Sequence, residues 1–184
     1  MRRTVLSGLA LLLVATIAPG CWNLKEPDHQ AFVMGIGMDM TPDRQFELST
    51  LIAVPAGMGG QELGPKKKSF RVISATGKNN SDATQNLQHQ LSRSLFLGHR
   101  EVVLIGERMA EHGISPWVDE FFRNPQSEIR SSLFVVKGAR AKEVLSLNTA
   151  FDPYVVNTLV GGQRTLRLRR YVMEDLMSDY LGQG

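Results

Sequence analysis

The sequence predicts an α+β domain: a mixed sheet opened by an antiparallel hairpin, with helices packed against it. Three observations carry that prediction. Two stretches of period-two patterning, residues 31–40 and 45–54, flank a turn that contains Pro42. Two short continuous apolar runs, Val102–Ile105 and Leu133–Val136, have the character of strands buried on both faces. Stretches with apolar residues at helical spacing lie between and after these runs, so strands and helices interleave behind the hairpin.

The first strand places Phe32, Met34, Ile36, Met38 and Met40 on one side, and Ala31, Val33, Gly35, Gly37 and Asp39 on the other. Two glycines on one face of a strand predict close approach by another element. Thr41-Pro42-Asp43-Arg44 is a turn with Pro at its second position. The return strand puts Phe46, Leu48, Thr50, Ile52 and Val54 on one face. Residues 55–68, rich in Gly and Pro and ending in Lys66-Lys67-Lys68, read as a loop. A third strand follows over 69–75 and is broken by Gly77. Asn79 or Ser81 can cap a helix reaching about Ser92, with Ala83, Leu87 and Leu91 on one stripe. Trp117, Val118, Phe121 and Phe122 recur at helical spacing. Residues 139–147 and 153–161 are further helical stretches, the second with Pro153 in its first turn. The tail from Tyr171 to Leu181 aligns Val172, Leu176 and Tyr180.

Composition narrows the function classes. Hydrophobic residues make up 42% of the 184 positions and charged residues 21%, which is the balance of a globular chain. A single Cys excludes a disulfide framework and any Cys-rich zinc or iron–sulfur site within the chain. The net charge of +3 includes Arg2 and Arg3, which precede an apolar stretch without acids. Without them the chain is nearly neutral, and no general argument for nucleic-acid binding remains.

That apolar stretch, Thr4 to Ala18, is short for a membrane span and suits the core of a signal peptide. It runs into Ala18-Pro19-Gly20-Cys21, which has the form of a bacterial lipobox, although Ala18 stands where Leu is usual. Residues 1–20 are therefore expected to be a lipoprotein signal peptide, Cys21 the lipidated residue, and 21–30 a polar tether. Two or more acyl chains give stable anchoring where one does not.

Several blocks stand in a telling order. Cys21-Trp22-Asn23 precedes Val33-Met34-Gly35-Ile36-Gly37-Met38-Asp39 and Ile52-Ala53-Val54-Pro55. Ser92-Arg93-Ser94-Leu95-Phe96-Leu97-Gly98-His99 then runs into Val102–Glu107. Ala110-Glu111-His112-Gly113-Ile114, Phe122-Arg123-Asn124-Pro125 and Gly138-Ala139-Arg140-Ala141-Lys142 complete the set. This series resembles the N-terminal domain of Ger(x)C-type spore germination lipoproteins, the C subunits of nutrient germinant receptors. The resemblance implies a non-catalytic subunit held by lipid on the outer face of the spore inner membrane, beside integral-membrane A and B subunits. It places the germination domain at 31–163. It leaves 164–184 as a basic linker and terminal helix, truncated relative to a family whose members carry further domains.

The candidate contact residues come from these blocks. Arg93, Glu107 and Arg123 are single charges suited to ion pairs or to a partner. His99, beside Gly98 and before a buried strand, is either a titrating residue or the holder of a turn. Arg167 and Arg169 alternate with Leu166 and Leu168, which predicts a strand with both arginines on one face, turned to a membrane or an acidic partner. Lys66–Lys68 also suit anionic headgroups. His29, His89 and His112 lack metal-ligand spacing, no catalytic motif stands out, and no cofactor is expected. A solute-binding lipoprotein that delivers a small molecule to a transporter is the alternative. Such proteins usually have two lobes and a deep cleft, for which this chain is short.

Overall fold

The computed structural model describes residues 2–3, 26–54, 69–115, 117, 123 and 128–182. The apolar part of the leader, Cys21, the tether as far as Lys25, Lys66–Lys68, Val118, Phe121 and Phe122 lie outside the described residues.

Among the described residues six strands form one mixed sheet: β1 (Gln30–Met40), β2 (Phe46–Ala53), β3 (Phe70–Gly77), β4 (Ser94–Phe96), β5 (Val102–Gly106) and β6 (Ser132–Val136). The order across the sheet is β3-β2-β1-β5-β6, with β4 also paired to β1. β1 and β2 are antiparallel through the predicted turn, where the Gln45 N–H donates to the Thr41 hydroxyl over 3.0 Å. β2 and β3 are antiparallel as well. β4 and β5 both pair parallel with β1, β4 at its start and β5 further along, and β6 continues parallel to β5. Among the described residues five helices pack on this sheet: α1 (Asn80–Gln88), α2 (Glu107–His112), α3 (Ala141–Leu145), α4 (Val155–Thr165) and α5 (Met173–Leu181). The α+β class with a hairpin-opened mixed sheet is therefore the observed one.

Each face of the sheet has its own apolar core. On one side Val33, Ile36, Met38, Phe46, Leu48, Val103 and Ile105 meet Leu87 of α1, Met109 of α2 and Met173 of α5. Trp117 lies flat on Phe46 there, with ring centres 3.9 Å apart. On the other side Leu51, Val102 and Leu104 meet Ala141 and Leu145 of α3 and Val156 of α4. β5 is buried at every residue, as its apolar run predicts. β6 is not: it lies at the edge of the sheet, and Val135 is 61% exposed.

The predicted close approach at β1 is real. A Cβ on Gly37 would stand 2.9 Å from the Ala141 Cβ, and one on Gly35 2.8 Å from a Val156 methyl. The simple alternation along β1 does not hold throughout, however. The register shifts between Val33 and Gly35, so Ala31 and Val33 join the core of Ile36 and Met38, while Met34 packs on the opposite core. A bulge adds one residue and reverses the phase of the pattern.

Asn79 caps α1, its side-chain oxygen accepting from the Asp82 N–H at 2.8 Å. The predicted strand around Arg167 and Arg169 is absent. Residues 166–167 turn out of α4, with Arg167 at φ 52, and both arginines are exposed. The chain then returns to β6. Leu133 N–H donates to the Tyr171 carbonyl, Met173 N–H to that of Ser131, and Met173 is buried in the first core. Tyr180, aligned with Val172 and Leu176 in the sequence, is exposed.

Candidate functional site

The parallel strands β1, β5 and β6 end together, and the segments leaving them surround an open crevice of about 500 Å³. This is the edge at which open α/β sheets place their ligand and partner sites. Asp39, at the end of β1, is buried to 3% exposure. Its two carboxylate oxygens accept the N–H groups of Ala141, at 2.9 Å, and Lys142, at 3.1 Å. These are first-turn N–H groups of α3 that have no partner within the helix, so the carboxylate both satisfies them and complements the helix dipole. Gly106 makes room for Asp39, because a Cβ there would come within 2.2 Å of its oxygen.

Other charges extend this network. Buried Glu47 pairs with Arg140 and, at 3.7 Å, with Lys142. Glu143 accepts the Arg140 N–H at 3.2 Å. Glu107, the residue that leaves β5, accepts the Gly138 N–H at 3.1 Å and so ties the end of β5 to the loop after β6. Gly138 has φ 74, a conformation that favours glycine. Asp39, Glu47, Glu107 and Glu143 are all engaged as acceptors or ion-pair partners. The crevice thus holds a fixed backbone behind a rim of mixed charge that includes Arg108 and Arg140. That arrangement suits docking of a charged partner better than proton transfer, for which an uncommitted acid or base is needed.

Of the candidates from the sequence, only Glu107 belongs to this crevice. Arg93 and His99 flank β4. Gln88 Nε2 donates to the Arg93 carbonyl at 2.7 Å, and His99 is exposed in a turn, its ring 5.6 Å from Phe32 and 5.3 Å from Phe96. Arg123 is exposed, in a stretch that is largely outside the described residues. Arg167 and Arg169 lie on the connection from α4 to α5. The candidates therefore occupy separate places and form no single cluster. Among the described residues no three His, Cys, Asp or Glu side chains converge to hold a metal ion. None of the described helices is long and apolar enough to cross a membrane.

The sequence did not single out Asp39, Glu47, Arg100 or Arg140. Arg100 is 1% exposed. Its Nε donates to the Ser131 hydroxyl at 3.1 Å and its Nη2 to the Glu128 carbonyl at 2.8 Å. Burial pushes its pKa down to about 10, against the upward pull of Glu128. Arg170 has a related role, bonding the Ser132 hydroxyl at 2.9 Å and fastening the returning tail to β6. The available signals were an acid inside an otherwise apolar stretch of β1 for Asp39, and a basic residue shortly before the apolar run of β5 for Arg100.

Comparison with known proteins places the chain in a family. A family described as the spore germination protein N-terminal domain matches residues 23–184. YfkR of Bacillus subtilis (strain 168), provisionally named a spore germination protein, is 30% identical over 186 residues, covering 96% of this chain and 48% of its own. Spore germination protein KC of the same organism is 27% identical, over 83% of this chain and 38% of its own. Spore germination protein A3 is 24% identical, over 79% and 39%. The chain thus spans less than half the length of these relatives. No solved structure matches it. The match across nearly the whole chain shows that it belongs to the spore germination protein N-terminal domain family.

Proposed function

We propose that this chain is a lipid-anchored, non-catalytic subunit of a nutrient germinant receptor, acting in spore germination from the outer face of the spore inner membrane. The observation that carries the reading is the family match over residues 23–184, whose relatives are named as spore germination proteins. Two further features support it. Cys21 directly follows an apolar leader, where acylation would hold the domain at a membrane surface. The charged crevice at the ends of β1, β5 and β6 is built on engaged carboxylates, which favours docking over catalysis. In this reading the crevice, with Glu107 and Arg140 on it, faces integral-membrane A and B subunits. Arg93, His99, Arg123, Arg167 and Arg169 are further contact positions for those subunits or the membrane.

The test is biochemical. The mature protein is isolated from spore membranes and its N-terminal peptide is weighed. Diacylated Cys21 at the new N-terminus, with membrane subunits co-purifying from mild detergent, is the expected result. A chain that fractionates as freely soluble and carries no lipid contradicts the reading.

A further inference from the structure

The start of β1 marks one end of the sheet. Ser69, which leads into β3, is close to level with it, because Phe70 pairs with Ala53 and Ile52 with Val33. α3 runs along β1 towards the same end. Asp39 holds its first N–H groups, a Cβ on Gly37 would meet Ala141, and one on Gly35 would meet Leu145. The connection from α3 to α4, residues 146–154, therefore emerges there. The Ser69 hydroxyl donates to the Pro153 carbonyl over 3.1 Å, and the Tyr154 ring meets the Phe70 ring edge to face at 6.2 Å.

This connection ties up its own polar groups and leaves apolar ones outside. The Thr158 hydroxyl donates to the Asp152 carboxylate at 2.6 Å, and the Thr149 hydroxyl to the Asp152 carbonyl. Asp152 is the one charged residue in 146–154. Phe151 is 98% exposed, more than any other large apolar side chain among the described residues, and Leu147 is exposed as well. Single exposed apolar residues are common on protein surfaces. What sets Phe151 apart is its position.

That position is the end at which the tether enters. Cys21 stands five positions before Glu26, so a lipid on it is held within about 18 Å of the start of the described domain. β1 is 11 residues long, and the charged crevice at its other end lies about 33 Å away. A domain held at Cys21 thus turns the end that carries Phe151 to the bilayer. Phe and Leu are side chains that settle at the boundary between headgroups and acyl chains.

We infer that the connection from α3 to α4 dips into the lipid interface, with Phe151 entering the acyl boundary and Leu147 beside it. This inference rests on the anchoring proposed above and adds an orientation to it. The crevice then faces away from the lipid, and a partner there is met by parts that project from the membrane.

The experiment uses the full chain acylated at Cys21, in vesicles of phosphatidylglycerol and phosphatidylcholine. Acylation occupies the one native thiol, so a single introduced cysteine takes an environment-sensitive fluorophore. Ala150→Cys puts the label beside Phe151, and Asp43→Cys puts it in the turn at the far end of β1; both positions are exposed. The label at 150 should emit at shorter wavelength and be quenched by nitroxide-bearing lipids, while the label at 43 keeps its emission in water. Adding Phe151→Asp to Ala150→Cys should remove both the shift and the quenching while the chain still floats with the vesicles. Circular dichroism reports that each variant is folded. With the chain afloat, a label at 150 as wet as that at 43, or one unmoved by Phe151→Asp, overturns the inference and leaves anchoring intact. A chain that takes label at Cys21 and stays off the vesicles overturns the anchoring reading, and this inference with it.

Discussion

Removing the Asp39 carboxylate should undo the docking of α3 and with it much of the domain's stability. Asp39→Ala deletes two charge-assisted hydrogen bonds, at 2.9 and 3.1 Å, and leaves two N–H groups at the start of α3 without their acceptors. Bonds to charged groups contribute about 1.5–3 kcal/mol each, so the loss is about 3–6 kcal/mol. Domains of this size are stable by about 5–15 kcal/mol in total. The helix at stake has five residues and cannot persist alone. Its docking keeps Ala141 and Leu145 fully buried against Gly37. Urea unfolding followed by circular dichroism measures the loss. Hydrogen exchange locates it, with the Ala141 and Lys142 amides losing protection first. Asp39→Asn, which retains one acceptor oxygen, should fall between the parent and Asp39→Ala. A midpoint shift for Asp39→Ala worth less than about 1 kcal/mol would refute the reasoning, since the carboxylate would then be no more than a surface ornament.

Other expectations follow from neighbouring geometry. Gly106→Ala places a Cβ within 2.2 Å of the Asp39 oxygen, so it should displace the same carboxylate. Its cost and that of Asp39→Ala should then be far less than additive in the double variant, read by the same urea curves. Tyr171 donates its hydroxyl to Asp179 at 2.6 Å, which raises its pKa to about 12. Because the folded pKa lies above the unfolded one, this bond's contribution is fully present below pH 10 and is lost as pH rises towards 12. Ultraviolet titration should show Tyr171 ionising late, and Asp179→Asn should bring it back towards the ordinary value.

The fold was legible where one local rule decided the outcome. The hairpin follows from period-two patterning and Pro42, the close approach at β1 from Gly35 and Gly37, and the start of α1 from Asn79. It was less legible where two rules compete. The bulge before Gly35 reverses the alternation around Met34, and no residue type announces it. Leu133–Val136 reads as a central strand by composition, yet its place at the sheet edge depends on the order of the whole sheet. The alternation of Leu and Arg over 166–169 mimics a strand, but the chain there is still leaving α4 and has no neighbour to pair with among the described residues. The site was less legible still. Asp39 and Ala141 are far apart in sequence, and only the crossing of β1 under α3 brings them together. Glu107 was reachable because it directly follows an apolar strand.

The central claim, that this chain serves in a germinant receptor through its lipid anchor, is tested most directly by nutrient-triggered dipicolinate release. Spores lacking the gene are complemented with the native chain or with Cys21→Ala. The account predicts a lost nutrient response that the native chain restores and the Ala variant does not. Full release from the deletion strain with every nutrient tested, or equal rescue by both chains, would contradict it.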